Sequence, residues 1–362
     1  MRQYQIVVLP GDGIGPEITA AAIEILQEVQ KISGGFELIF DYHEAGAGYY
    51  LKTGRAISEA TLEAIGRAEA TLKGPVGLPN VRKPDGTEAG LLGGVLRVGF
   101  DLYANIRPIS LFPNVPAPLA GTGPGDIDYI ILRENTQGLY LSRGVGLVTE
   151  DAATDTLLLT RRGCERICRL AFELARDKKN GAPEDGRRRV TLIDKSNVLR
   201  SFAFFREIFL EVAAQHPDLE AEGMYVDAGA AALVARPGHF HVIVTENLFG
   251  DILSDLGAAT VGGLGLCPGA NIGDRTAYFE PIHGSAPDIA GKGLANPVSQ
   301  IRAAAMMLDY LGEKAAAALI EAAVLEAFSR KRIRINPGGS IPGGPPEVVK
   351  AVRDILPGRT SF

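Results

Sequence analysis

A chain of 362 residues with 46% hydrophobic and 22% charged residues is long enough for two domains with sizeable cores and too apolar for extended disorder. Its net charge of −6 argues against nucleic-acid binding, which needs a basic face, but leaves small anionic substrates open because local arginines override a modest global charge. No apolar run approaches a membrane span, the start lacks the pattern of a signal peptide, and Cys164, Cys168 and Cys267 lack metal-site spacing, so the expected location is a reducing cytoplasm.

The chain enters a strand at once, QIVVL at 5–9, and a helix follows from about Pro16 to Val29. FELIF at 36–40 is the next strand, then a helix after Ser58 and a short run, ATLKG, at 70–74. The stretch 109–126 is dense in Pro and Gly and reads as an ordered surface excursion, because a strand resumes directly in DYIILRE at 128–134. RVTLID at 189–194 and FHVIVTE at 240–246 are further strands, each set off by helix-length segments. The tract 298–327 predicts two helices interrupted at Gly312, and SRKRIR at 329–334 reads as a solvated face or strand entry. Cys164 and Cys168, four apart in a helical pattern, read as packed residues. This alternation predicts parallel strands with helical crossovers, hence an α/β architecture.

The glycine cluster GDGIGPE at 11–17 follows a strand and opens a helix, which invites a dinucleotide reading. It is GxGxG rather than GxGxxG, and Asp12 would place a negative charge against a pyrophosphate, so a tight turn bordering a site is the better reading. Arg97, Arg107 and Arg133 carry the planar fork that binds carboxylates bidentately. Convergence of the three would imply a substrate with more than one carboxylate, whereas each taken singly reads as a surface ion-pair partner. Tyr140 is a proton donor or a packed aromatic. Lys195, at a strand end, is a candidate general base or a solvated lysine. In ENLFGDILSDLGA, Asp251 and Asp255 lie one helical turn apart on one face, where like charges repel mildly. Magnesium or manganese would neutralise them, with Asp227 as a third acid of the same kind; alone, the pair reads as two solvated acids.

Together these residues resemble one family: the β-decarboxylating, metal- and nicotinamide-dependent dehydrogenases of malate-like acids, which includes isopropylmalate, isocitrate, homoisocitrate, tartrate and D-malate dehydrogenases. The blocks that carry the resemblance are LPGDGIGPE, DLYANIRP, RENTQGLY, NLFGDILSDL, GGLGLCPGANIGD and EPIHGSAPDIAGKGLANP, spanning 9–300. The resemblance implies a two-domain isopropylmalate dehydrogenase-like fold with parallel or mixed sheets. A cofactor-side domain would comprise 1–101 plus 262–362, and a substrate, metal and dimerisation domain 102–261, with the active cleft between them. It implies that Asp251 and Asp255, with Asp227 of a neighbouring copy, hold Mg²⁺ or Mn²⁺, and that Arg97, Arg107 and Arg133 bind the malate part. Lys195, also from the neighbouring copy, would assist hydroxyl deprotonation, and Tyr140 would protonate the enol carbon. A homodimer with shared active sites is therefore expected, alone or paired into a tetramer, with no nucleic-acid or membrane partner.

The cofactor, expected to be NAD, is assigned by the same resemblance to the loop 283–297. His283, Gly284, Ser285, Ala286, Asp288, Ile289 and Asn296 match its adenosine-side positions, and Glu280 and Asn197 match positions near the nicotinamide. A carboxylate at 288 repels a 2′-phosphate, which favours NAD over NADP. The substrate's side group is less legible. Gly93 and Gly94 stand where isopropylmalate enzymes place bulky apolar residues, which suggests room for a larger or anionic substituent. Alternatively, two residues are inserted there and Leu91 and Leu92 form an apolar pocket, or the glycines are a plain helix break. Gln137 stands where relatives often have Glu. Tartrate-type or specialised substrates, a non-catalytic regulatory subunit, and a metal-dependent hydrolase or bare metal-binding module remain as alternatives.

Overall fold

The structure is a computed structural model and describes residues 1–84, 86–336 and 338–357. The chain forms two compact units, one of Met1–Leu96, Phe112–Pro116 and Gly262–Phe362, the other of Arg97–Leu111 and Ala117–Val261. Both are α/β.

The first unit opens with β1 (Arg2–Leu9), whose residues Ile6 to Leu9 are all buried. A continuous apolar run rather than an alternating one suits a strand covered on both faces, and β1 is central. It pairs in parallel with β2 (Phe36–Tyr42) and with β3 (Ala70–Lys73). Helix α1 (Gly15–Ser33) starts with a proline in its first turn, where no amide partner is lost. The short α2 (Ala47–Thr53) follows β2, and α3 (Glu59–Arg67) follows with Ser58 accepting from the Thr61 amide. A π-helical turn, Gly94–Val98, marks the point where the chain leaves this unit.

The second unit begins with β4 (Ala104–Ser110), antiparallel to β5 (Asp128–Glu134). A two-stranded hairpin, β6 (Leu147–Val148) and β7 (Ala153–Thr154), carries exposed Leu147 and Val148. Then come α4 (Arg161–Asp177), β8 (Arg189–Asp194), α5 (Arg200–Ala213), β9 (Glu220–Tyr225), α6 (Val226–Ala235), β10 (Val242–Thr245) and α7 (Asn247–Thr260). The strand order is β4-β5-β10-β8-β9, with β5, β10, β8 and β9 parallel. Phe172, Phe202, Phe205 and Phe209 from α4 and α5 are fully buried, each burial contributing about 1.5–3 kcal/mol.

Back in the first unit, β11 (Pro268–Ile272) and β12 (Ala277–Pro281) form an antiparallel hairpin, giving the order β2-β1-β3-β12-β11. Helices α8 (Val298–Tyr310) and α9 (Lys314–Ser329) pack on each other, separated at Gly312 with φ +85°, and α10 (Gly344–Arg353) packs on α1. Strands β4, β6, β7, β9, β11 and β12 lie outside the expected runs, and the excursion beginning at 109 starts inside β4. The antiparallel pairs make the sheet mixed, because a pattern of buried residues does not reveal strand direction. Among the described residues no helix is long and apolar enough to cross a membrane.

Candidate active site and cofactor-side loop

In the second unit, β4 and β5 place Asn105 opposite Arg133, with Arg107 two residues along on the same face as Asn105. Arg107 Nε donates to Asn105 Oδ1 at 2.8 Å and its Nη1 to Ser254 Oγ at 2.6 Å. Arg133 Nε donates to Asn247 Oδ1 at 2.9 Å, and its Nη1 donates to Asp251 Oδ1. The aliphatic stem of Arg133 lies against Gly250, where an added Cβ would stand 2.6 Å from Cγ. Burial, followed by the positive charges of Arg107 and Arg97, pulls Arg133 down to about 9, which still leaves it charged at neutral pH. Arg97 thus shares one electrostatic cluster with Arg107 and Arg133.

Asp251 and Asp255 lie on α7 as expected, one turn apart, but arginines already compensate their repulsion. Arg107 Nη1 lies 3.6 Å from Asp251 Oδ1 and 3.9 Å from Asp255 Oδ1. The Tyr140 hydroxyl donates to Asp251 Oδ2 at 2.9 Å. Burial pushes the Asp251 carboxyl up, yet Arg133, Arg107, the Tyr140 hydroxyl and Arg97 together hold it below its ordinary value. Asp255 is moved the other way: burial raises it by more than Arg107 pulls it down, with smaller opposing contributions from the Asp251 and Arg133 charges. Burial and then Asp251 raise the Tyr140 phenol, so the hydroxyl keeps its proton well past neutrality.

Lys195 and Asp227 form a separate couple, with Lys195 Nζ donating to Asp227 Oδ1 at 2.6 Å. The hydrogen bond from Lys195 holds the exposed Asp227 carboxyl below its ordinary value. Asn197 is exposed in the turn that follows Lys195. Among the described residues no three acidic, histidine or cysteine side chains of one chain gather as a metal site, so Asp227 does not complete the pair on α7 within a protomer.

In the first unit the glycine cluster serves the backbone. Asp12 is buried and accepts from the amides of Ala47, Gly48 and Gly77, each at 2.8 Å. Its charge is spent on three internal donors. Gly11 (φ +79°) and Gly13 (φ +58°) let the turn touch the carbonyls of Pro75 and Ser285, where any Cβ would collide. The Ile14 amide donates to Ser285 O at 2.8 Å, and the Ser285 hydroxyl donates to Gly77 O. The loop 283–297 is therefore seated on the turn after β1.

In that loop, His283 Nε2 lies 3.0 Å from Ser299 Oγ and Nδ1 2.8 Å from Gly284 O; burial keeps its pKa low, so the ring is neutral at pH 7. Gly284 and Asp288 are exposed, Ala286 adopts a left-handed φ of +38°, and Ile289 packs on Ile14, Ile18 and Ala295. Asn296 Oδ1 accepts from the Val298 amide at 3.0 Å and Nδ2 donates to Gly339 O at 3.3 Å. Glu280 is buried, held by Lys73 Nζ at 2.6 Å and Asn271 Nδ2 at 3.0 Å. Lys73, Asn271, Asn105, Asn247, Ser254 and Gly250 support the expected site residues and went unremarked in the sequence; Asn105 and Ser254 follow from strand and helix periodicity around Arg107 and Asp251.

Gly93 and Gly94 are half-buried at the entry of the π turn that carries Arg97. The backbone continues through both glycines into a π turn, which accommodates one extra residue relative to a regular helix. Leu92 is fully buried, while Leu91, Val95 and Val98 are 40%, 42% and 51% exposed. Gln137 does not reach into the arginine cluster. Its Oε1 accepts from the Thr160 amide at 2.7 Å, and its amide presses on Gly163 in the first turn of α4.

Known proteins resemble this α/β chain closely. The description "Isocitrate/isopropylmalate dehydrogenase" matches residues 5–336. A "3-isopropylmalate/3-methylmalate dehydrogenase" of Methanocaldococcus jannaschii is 42% identical over 93% of this chain and 95% of its own. A "probable tartrate dehydrogenase/decarboxylase" of Agrobacterium vitis is 41% identical over 90% of each chain. The crystal structure of isocitrate dehydrogenase from Methylococcus capsulatus superposes with a TM-score of 0.86 at 38% identity, covering 98% of this chain and 99% of that one. The chain belongs to the isocitrate/isopropylmalate dehydrogenase family, and it is a decarboxylating dehydrogenase.

Proposed function

We propose that this protein is an NAD- and divalent-metal-dependent enzyme that oxidatively decarboxylates a 3-substituted (2R)-malate to a 2-oxo acid and CO₂. The observation that carries this reading is the cluster of Arg107, Arg133, Arg97, Asp251, Asp255 and Tyr140, positive where a dicarboxylate binds and acidic beside it. Asp251 and Asp255 offer hard oxygen donors one helical turn apart, which fits Mg²⁺ or Mn²⁺. When bound, the cation supplies Lewis acidity at the substrate hydroxyl and NAD⁺ accepts hydride.

The chain's own groups do the rest. The three arginines fix the two carboxylates. Lys195 takes the hydroxyl proton as the C–H bond yields its hydride; the bond to the β-carboxylate then breaks, releasing CO₂, and Tyr140 gives its proton to the enol carbon. The raised Tyr140 pKa suits a donor that must enter each turnover protonated. The loop 283–297 holds the dinucleotide, with Asp288 selecting NAD over NADP.

A homodimer supplies the third acid. The pairing of Asp227 with Lys195, apart from the acids on α7 within one chain, supports a couple Lys195–Asp227 that serves the site of a second copy. Exposed Val145, Leu147 and Val148 around the β6–β7 hairpin offer apolar surface for that association. We place the enzyme in the cytoplasm, where three buried thiols stay reduced.

For the side group, exposed Leu91, Val95 and Val98 beside Arg97 favour an alkyl substituent over a third carboxylate. The test is a panel of 3-isopropylmalate, isocitrate, homoisocitrate, D-malate and tartrate with NAD⁺ and Mn²⁺, followed by NADH absorbance and CO₂ release. The alkylmalate should give the highest kcat/KM. Silence on every acid would overturn the proposed reaction, and a preference for isocitrate would overturn the alkyl assignment alone.

A further inference from the structure

Asp101 lies four residues after Arg97 and has a φ of +49°, a left-handed conformation in a residue other than glycine. Such a conformation is uncommon outside glycine and persists where its surroundings hold it. The hold comes from α4. Arg166 Nη1 donates to Asp101 Oδ2 at 2.7 Å and Nη2 to Oδ1 at 2.8 Å, a two-pronged pair. Arg166 Nη2 also donates to Thr136 Oγ1 at 2.9 Å, and the guanidinium carbon stands 4.3 Å from the centre of the Tyr103 ring.

Each partner leads to a substrate arginine. The Leu102 amide donates to Arg97 O at 2.8 Å, closing a ring of backbone that runs through Asp101. Thr136 Oγ1 donates to Glu134 Oε1 at 2.8 Å, the residue next to Arg133 on β5. Asn135 ties the same two segments, its amide donating to Tyr103 O and its side chain to Leu102 O, both at 2.9 Å. The more exposed Arg162, also on α4, reaches only Asp101, at 3.7 Å, whereas Arg166 touches both arginine-bearing segments at once.

We propose that Arg166 is a positioning residue, a clasp that sets the spacing of Arg97 and Arg133 and so the fit of the substrate's two carboxylates. The inference rests on the functional reading above and deepens it. A lysine, lacking the fork and the flat face that stacks on Tyr103, satisfies one partner but not all three.

The test uses the full-length enzyme with the best hydroxy acid of the panel. Arg166→Leu and Asp101→Asn should each raise the KM for the hydroxy acid about tenfold, as a small misplacement of binding groups does, while the KM for NAD⁺ stays within about twofold. Asn tolerates left-handed φ, so Asp101→Asn removes the charge pair with the least backbone disturbance and stands in should Arg166→Leu fail to fold. Arg166→Lys should recover only part of the loss, and the double variant should be no worse than the poorer single one. Both KM values rising together, or an unchanged hydroxy-acid KM, would overturn the clasp. Should the wild type turn over no hydroxy acid, the functional reading fails instead, and the clasp is decided by calorimetric binding of malate to the metal-free protein. There Asp101→Asn must weaken malate about tenfold, and unchanged affinity overturns it.

Discussion

In the second unit the candidate site is made of charged side chains locked onto one another, whereas in the first unit the loop 283–297 is shaped by backbone contacts and leaves Asp288 and Gly284 in solvent. Among the described residues, the carboxyls held below their ordinary values, Asp101, Asp185, Asp218, Glu220, Asp227 and Asp251, belong to the second unit. The contrast follows from the ligands proposed. A small dianion is recognised through charge, which must be prearranged against desolvation. A dinucleotide is recognised largely through shape and close backbone approach, with one exposed acid left to choose between cofactors.

The sharpest way to break this comparison is to remove a charge from the locked cluster. Arg133→Met should lower kcat/KM for the hydroxy acid about 10³-fold, measured by NADH formation, and a loss under tenfold would show that the cluster does not bind the reacting acid. Next in size, Tyr140→Phe should cut kcat about 10²-fold while a single turnover still forms NADH, whereas Lys195→Met should suppress NADH formation itself. Equal loss of both steps in both variants would dissolve the division of roles. In the first unit the expected effect is smaller and falls on the cofactor only. Asp288→Lys should shift the NAD/NADP ratio of kcat/KM toward NADP about tenfold and leave the hydroxy-acid KM unchanged; an unmoved ratio would remove Asp288 from cofactor selection.

Packing offers a subtler test. Gly250→Ala places a methyl 2.6 Å from Arg133 Cγ, so it should cost about 1–3 kcal/mol in urea unfolding and raise the hydroxy-acid KM, with NAD⁺ KM untouched. Smallest of all is the response to acid. Arg189 hydrogen bonds hold Asp185 and Glu220 below their ordinary values of 3.8 and 4.5. Carboxyls depressed in the fold stabilise it above their unfolded pKa, and that contribution disappears as pH falls through the folded values. The two side chains keep 32% and 35% of their surface in solvent, so screening holds their share to under about 1 kcal/mol. Hydrogen exchange should therefore rise in the second unit before the first as pH drops from 5 to about 3, and Arg189→Met should flatten the trend. Simultaneous loss of protection in both units would contradict the electrostatic contrast.

Much of the molecule was legible beforehand for reasons that particular residues show. DYIILRE and RVTLID became β5 and β8 over the expected residues, since continuous apolar runs bounded by charge define buried strands. The acids at 251 and 255 share a helix face because spacing alone dictates it. Strand β4 was hidden inside a Pro-containing segment, ANIRPIS, and β11 inside PGANI, where propensity is weak and tertiary pairing decides. Gln137 stands where relatives often have Glu, and nothing local announces that its side chain accepts from the Thr160 amide at the start of α4, more than twenty residues away.

Periodicity by itself determined the α/β class, and the motif blocks, through their resemblance, pointed to the family, because both are local properties of the chain. Only the folded molecule decided what each charge faces: that Asp12 is consumed by three amides, that Arg107 and Arg133 rather than solvent meet the acids of α7, and that Asp227 belongs with Lys195. Those outcomes depend on distances between segments far apart in sequence and on the loss of water around them. Neither is encoded at any single position.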